Sequence, residues 1–559
     1  MTSCAGLLAM AMAMAATMPA DGKEVPKYGL FELTFSSKEK FHNPFWDAQV
    51  SAVFTSPTGK KIAVDGFYFG GDQWRIRFVP REEGRWTYTA VMKGGAAPVE
   101  RAGAFTCKGS AGDGFLKLSK KNPYRMEYDS GRPFYSIGIQ TCGVIRQVDF
   151  DGPADDGGWR AVPVAQWCDA FKGAVNLVRI QLGAGTTAGL AVPLIPVDAD
   201  KDGRGRPTTN RAKEILIDGK PDRYDLEICA LLDEAYKLHR KAGFSEICIL
   251  FQDMSPFSNK SRSAFGDVRD TTNYKNLKAE NLPLQEKYIR YVIARYGAFV
   301  DIWEIFNEDT YAPDDYLAHL ARVIRDADPY QHIITTNFAR PEKEWCEIVT
   351  PHEYVSIPAN DVDARLASQI GVLKSYGKPV QYTEFGNKNN FSNDDPIKWR
   401  VAAWTAFMNE SGMLFWSMSG TKTTSKPAVT GNANTYIGAE SRGHFRVFMD
   451  FVRDLPIDMR PRTVYPYRKD LRCYALSNGA VTVVYVHHYA DYDKPYKTLD
   501  PVEIETGPGR YRITWIDPAD GKPLKDEART TTRHRWLSLR VPEMKVDAAC
   551  RIEKIEDAE

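Results

Sequence analysis

The sequence predicts a (β/α)8 barrel held between two β-sandwich domains, and three observations carry that prediction. The chain has 559 residues, more than one hydrophobic core fills. Both ends alternate apolar and polar residues in short runs broken by turn signals, as half-buried strands do. The middle alternates apolar runs of strand length with helix-periodic segments, as parallel strands joined by helices do.

In order along the chain, residues 1–20 read as an export signal. Leu7 to Thr17 is apolar or small throughout, and Ala13-Met14-Ala15 offers a small-x-small cleavage site. Residues 27–108 read as an N-terminal, Ig-like β-sandwich. Ala48–Phe54, Trp74–Val79 and Arg85–Ala90 alternate as strands do, with turns at Ser56-Pro57-Thr58-Gly59 and Gly70-Gly71-Asp72. A Gly-rich joint at 109–114 and a hairpin-like stretch lead into the barrel, residues 115–462.

Barrel strands are expected at Phe134–Ile139, Asn176–Gln181, Glu246–Phe251, Phe299–Phe306, Ile333–Asn337, Tyr354–Ile357, Pro379–Glu384 and Met413–Ser417. Helical periodicity fills Leu226–Lys241, Leu284–Tyr296, Asp314–Ala327 and Ile397–Met408, with a last helix at Phe445–Asp454. Pro313-Asp314-Asp315 puts two acids in a first helical turn, where the helix dipole favours them. The polar segment Asp198–Asp222 reads as a loop insertion on the active face. Residues 467–557 return to short strands, such as Val481–Val486, Tyr511–Ile516 and Trp536–Val541, and read as a C-terminal β-sandwich.

Composition removes several classes of function. With 73 basic and 72 acidic residues the net charge is +1, which provides no footprint for nucleic acid or an anionic membrane. After the leader no stretch is long and apolar enough to span a membrane. The reading is an exported protein: periplasmic, on the cell surface or secreted. The nine cysteines form no CxxC pair, so neither a zinc site nor a disulfide scaffold is expected, although Cys473 and Cys550 near the ends of the last domain could pair. Asp198-Ala199-Asp200-Lys201-Asp202-Gly203 resembles the start of a calcium loop. Its twelfth position is Thr209 rather than Glu, and Lys201, Arg204 and Arg206 counter the charge, so a solvated turn is expected and no metal. HExxH, GxSxG and P-loop motifs are absent, and no cofactor is expected.

The chemistry is concentrated in Trp303-Glu304-Ile305-Phe306-Asn307-Glu308 and Tyr382-Thr383-Glu384-Phe385-Gly386. Each is an apolar run closing on a glutamate, and a barrel delivers the residues at strand ends to one rim. Two carboxyl groups facing one cleft are the equipment for cleaving a glycosidic bond. An Asn-Glu pair by itself is also an ordinary helix start; the second strand-end acid three units later gives the pattern its weight.

With these residues, the chain resembles the retaining glycoside hydrolases of clan A, in which an Asn-Glu pair closes strand four and a Glu closes strand seven. The order of domains, Asp328-Pro329-Tyr330 before strand five and Trp515-Ile516-Asp517-Pro518 near the end resemble bacterial multidomain proteins with cellulase-like or apiosidase-like barrels and a last domain of collagen-binding type. The resemblance implies a carbohydrate substrate, Glu308 as general acid/base and Glu384 as nucleophile. It also implies Asn307 on the sugar's 2-hydroxyl, Arg179 supporting the nucleophile and Trp416 flooring the sugar subsite. Gln140, Gln181, Asn337 and Tyr382, near predicted strand ends, are further candidates for contacts with sugar hydroxyls. One departure stands out: strand six is expected to end on Ser356-Ile357-Pro358-Ala359-Asn360, without the clan's aromatic or His-containing motif. That leaves a rival reading, a non-catalytic glycan-binding protein on a degenerate barrel.

Overall fold

The structure, a computed structural model, describes residues 22–141, 146–148, 161–182, 216–217, 220–251, 282–308, 312–387, 395–416, 437–497, 500–531 and 536–556. The export-signal segment, the Asp198–Asp202 loop and most of the loop before the last barrel helix lie outside them.

Eight parallel strands form the centre: β1 (Ile137–Thr141), β2 (Leu177–Gln181), β3 (Ser245–Phe251), β4 (Ile302–Phe306), β5 (Ile333–Thr335), β6 (His352–Val355), β7 (Val380–Asn387) and β8 (Ser411–Phe415). They pair in the order β5-β4-β3-β2-β1-β8-β7-β6. The sheet therefore curls until β1 pairs with β8, giving a TIM-barrel-like domain. Between β5 and β6 no ladder forms. Side chains and one backbone bond span that gap instead: Glu347 N–H donates to Ile334 O at 2.9 Å, the Thr335 hydroxyl to Ile348 O at 3.1 Å, and the Asn337 amide to Thr350 O.

Helices cover the outside: α1 (Val164–Phe171), α2 (Leu226–Ala242), α3 (Leu282–Tyr296), α4 (Asp314–Ala327), α5 (Val362–Leu373), α6 (Pro396–Met408) and α7 (Ala439–Val452). α2 starts where the Asp225 carboxylate caps the amides of Glu227 and Ile228, and it stops at Gly243, whose left-handed conformation suits a residue without Cβ. Strands covered on both faces read as continuous apolar runs, and all seven residues of β3 are buried.

The barrel has a closed floor. Leu177, Ile247, Ile302, Ile333 and Leu414 form a layer across its lower interior, and Leu116, Met126, Tyr128 and Phe134 pack beneath it. Those four come from a small antiparallel sheet of Leu116–Leu118, Met126–Tyr128 and Pro133–Phe134, the hairpin-like stretch of the sequence. The polar cluster described below lies above this floor, toward the C-terminal ends of the strands, as in other barrels of this type.

Two-sheet units flank the barrel. The N-terminal one joins a five-stranded and a three-stranded sheet over Phe31, Phe54, Phe78, Trp86 and Phe105, with Phe54 and Phe78 stacked 4.0 Å apart. The C-terminal one joins a six-stranded sheet to a three-stranded sheet (Val464–Pro466, Val502–Glu505, Trp536–Leu539) over Val484, Ile504, Ile513, Trp515 and Leu539. Cys473 and Cys550 are free thiols, so the structure does not form the bond the sequence allowed between them. No helix among the described residues is long and apolar enough to cross a membrane.

Some boundaries differ from expectation, each for a local reason. β4 starts at Ile302 because the amides of Phe299 and Val300 still bond to Tyr296 O at the end of α3. β1 starts at Ile137 because Phe134 pairs with Met126 in the floor sheet. β6 lies two residues earlier than expected, since Pro358 already leads into a 3-10 turn over Ala359–Asp361. That last shift changes the reading of the site.

Candidate active site

The upper interior is organised around Arg179, fully buried in β2. A guanidinium out of water needs charge partners and filled hydrogen bonds, and Arg179 has both. Its Nε and Nη2 grip the Glu304 carboxylate at 2.8 and 2.5 Å. Nη1 donates to Glu384 Oε1 at 2.7 Å and to the Gln140 side-chain oxygen. Nη2 also donates to Asn307 Oδ1 at 2.6 Å. Burial alone would lower the pKa of Arg179, but Glu304 and Glu384 outweigh it and raise the value.

Glu384 sits near the end of β7, where the register with β8 breaks between Tyr382 and Phe385. The irregularity lets Tyr382 face outward while Glu384 faces the cleft. Glu384 and His352 are register partners across β7 and β6. One Glu384 oxygen takes the Arg179 bond; the other accepts from the Tyr354 hydroxyl and lies 3.3 Å from His352 Nδ1. Burial pushes its pKa up, and Glu308 adds to the rise. His352, Arg179 and the Tyr354 hydrogen bond oppose it.

Glu308 follows β4 with φ at 46°, a left-handed conformation uncommon outside glycine. Its N–H donates to the Asn337 side-chain oxygen at 3.1 Å, which fixes the turn. The side chain is 40% exposed, and Oε1 lies 2.8 Å from His352 Nδ1. Burial raises its pKa and the Arg179 charge draws it part-way back. The nearest donor atoms of Glu308, His352 and Glu384 all lie within 4.8 Å of one another.

His352 thus bridges the two acids. Burial drives its pKa down to about 3, with Glu384 opposing, so the ring is neutral through the ordinary pH range. A neutral ring facing two carboxyl groups through Nδ1 carries its proton there, and Nε2 is buried without a hydrogen-bond partner. The trio is the one group among the described residues whose donors could converge on a metal ion. The acids need no ion to be held in place, since Arg179, Tyr354, His352 and the Asn337 contact already fix them.

Of the residues singled out in the sequence, Glu308, Glu384, Asn307, Arg179 and Gln140 converge on this cluster. Asn337 meets it through the backbone of Glu308, with its amide nitrogen donating to Thr350 O. Trp416 directly follows β8: its N–H donates to Phe385 O at 2.9 Å, and its own carbonyl abuts Gly386. Tyr382 does not join. Its hydroxyl donates to Gln369 on α5, and the ring is buried between strand and helices. Gln181 closes β2, two residues beyond Arg179. The sequence reading missed His352, Tyr354 and Glu304. The expectation that strand six lacks a His or aromatic motif is corrected by the two-residue shift of β6. Pro351-His352-Glu353-Tyr354 carried the signal, since residues two apart in a strand share a face.

Comparison with known proteins places this geometry in context. Residues 24–93 match a domain of unknown function, DUF5060. A sequence comparison with curated proteins found no significant match. Among solved structures, a "putative glycoside hydrolase" of Bacteroides vulgatus superposes with a TM-score of 0.63 at 18% identity, covering 95% of this chain and all of that one. Another, named only as a glycoside hydrolase, gives a TM-score of 0.51 at 14% identity over 79% of this chain and 97% of its own. At such identities the likeness establishes the fold: the chain shares the architecture of glycoside hydrolases.

Proposed function

We propose that the protein is a retaining glycoside hydrolase acting on a polysaccharide or oligosaccharide, with Glu308 as acid/base and Glu384 as nucleophile. The observation that carries this reading is the approach of the two acids: one carboxylate oxygen of each lies within 4.8 Å of the other, in keeping with the close pair, roughly 5–5.5 Å between carboxyl groups, that a retaining enzyme uses.

The environments divide the roles. Glu384 is clamped by Arg179 and Tyr354, which favour its carboxylate and aim one oxygen into the cleft. Among the described residues Glu308 has no direct bond to a cation, and burial raises its pKa, so it serves as the acid, while its partial exposure lets it meet the leaving oxygen. The two titrate as a pair, and the Arg179 and Tyr354 contacts favour the state in which Glu384 is the ionised member. Its carboxylate attacks the anomeric carbon while Glu308 protonates the departing oxygen. Glu308, now ionised, then takes a proton from the water that releases the sugar. Neutral His352 separates the acids without adding a charge that would ionise both. We read the flanking units as β-sandwiches at 27–108 and 467–557, bracing a barrel at 115–462, and residues 1–20 as an export signal.

A panel of plant and algal glycans tests the assignment. Sugar release that disappears in Glu384→Gln is expected; binding without turnover by the intact protein would sink it. Glu308→Ala is expected to cost roughly 10²–10⁴-fold on a natural glycan and much less on an aryl glycoside whose leaving group needs no proton. Equal losses on both would remove Glu308 from the acid role.

A further inference from the structure

The three-stranded sheet of the C-terminal unit has two unlike faces. Inward, Val502, Ile504, Leu537 and Leu539 are buried in the unit's core, which completes that face with aliphatic side chains. Outward, the same strands carry Tyr465, Glu503, Glu505, Trp536 and Ser538, and Tyr467 follows directly. Tyr465 pairs with Glu503, Glu503 with Ser538 and Glu505 with Trp536. Tyr465 and Tyr467 are 54% and 63% exposed. Four aromatic rings among the described residues stand so exposed (Phe338, Tyr376, Tyr465 and Tyr467), and this one face holds two of them. Tyr465 and Trp536 lean together over the middle strand, ring centres 5.2 Å apart. Tyr467 lies two residues, about 6.6 Å, further along, with the Glu503 carboxylate beside its hydroxyl.

We propose that this face is a glycan-binding platform, separate from the barrel cleft, on which a neutral sugar chain stacks across Trp536, Tyr465 and Tyr467 while Glu503 and Ser538 take its hydroxyls. The rings do not serve the core, which the opposite face fills. Exposed aromatic area grouped on one surface marks a binding site more often than scattered single residues do. Charge decides the occupant. The Glu503 carboxylate among the rings disfavours nucleic acid and anionic membranes. A second copy docking face to face would bring a second Glu503 carboxylate onto the same surface. A sugar ring has an apolar C–H face for an aromatic ring and a rim of hydroxyl donors for carboxylates, so it meets both features without opposing charge.

The test uses the full chain carrying Glu384→Gln, so that no probe is consumed, and measures its depletion from solution by microcrystalline cellulose, ivory-nut mannan and insoluble xylan. At least one is expected to retain it. Replacing Tyr465 and Tyr467 together by Ala, or Trp536 by Ala, is expected to weaken retention roughly tenfold, whereas Tyr467→Phe, which keeps the ring, retains most of it. Because the rings are outside the core, the thermal unfolding of these variants serves as the folding control. No retention on any of the three, equal retention without the rings, or a dimer that the Tyr465/Tyr467 pair alone dissolves each overturns the proposal. Retention is read on a chain unable to turn over, so this result and that of the hydrolysis panel stand or fall separately.

Discussion

One guanidinium shared between two carboxylates sets the character of the proposed nucleophile. Glu304 takes two of the three Arg179 nitrogens, so Glu384 faces a cation already half neutralised. In Glu304→Gln the whole Arg179 charge falls on Glu384, its ionised form gains, and the acid limb of kcat/KM is expected to move to lower pH. Tyr354→Phe removes a hydrogen bond made to the ionised form, and the same limb is expected to move to higher pH. Shifts of one sign in both variants, or none, would separate Glu384 from that limb. At this scale the sequence was eloquent about the acids and silent about their supports. Glu308 and Glu384 could be read because a carboxylate closing an apolar run has few structural uses. Glu304, inside such a run, looked like part of the motif rather than the partner of a residue 125 positions away.

At the scale of elements, legibility followed burial. α4 was placed at its observed bounds because amphipathic periodicity and two first-turn acids agree. β3 was placed to within one residue because a strand buried on both faces has only one apolar reading. β6 was misplaced because it is short, carries His352, Glu353 and Tyr354 among its four residues, and has no ladder to β5 to show in an alternating pattern. The floor sheet was legible as a hairpin but not as a stopper, since what it covers is set by how the eight-stranded sheet curls above it. The junction of β7 and β8 depends on a missing side chain. A Cβ on Gly386 would come 2.2 Å from the Trp416 carbonyl oxygen and 3.3 Å from the Tyr354 ring. Gly386→Ala is therefore expected to lower stability by about 1–3 kcal/mol, measurable by denaturant unfolding, and to lower kcat through Tyr354. An unchanged midpoint would show that the rim yields freely.

Across the whole molecule, polar clamps join the flanking units to the barrel. On one flank Arg77, from a strand of the N-terminal unit, reaches Asp233 of α2 at 2.7 Å, and Arg295 of α3 reaches the same carboxylate at 2.8 Å. Burial would raise the Asp233 pKa, but the two guanidinium groups outweigh it and lower it. A carboxylate lowered in the fold stabilises at pH values above its ordinary range, and that contribution fades as pH falls through the acidic range. Asp233→Ala leaves two buried cations competing for what remains and is expected to cost about 3–5 kcal/mol near neutral pH; a loss under 1 kcal/mol in equilibrium unfolding would contradict a tight clamp. On the other flank Arg472 and His487 of the C-terminal unit meet Asp363 of α5, and Arg400 of α6 meets Asp547. None of these pairings was visible in the sequence, where the partners lie far apart.

The clamps divide the barrel's circumference between two guardians. The N-terminal unit grips the helices on either side of β3, next to the strands that hold Arg179 and lead to Glu308. The C-terminal unit grips those on either side of β7, which bears Glu384. Damage to either unit should therefore reach the chemistry through a different acid, so a distant lesion would leave a signature in the pH profile that reveals which side of the frame has slackened.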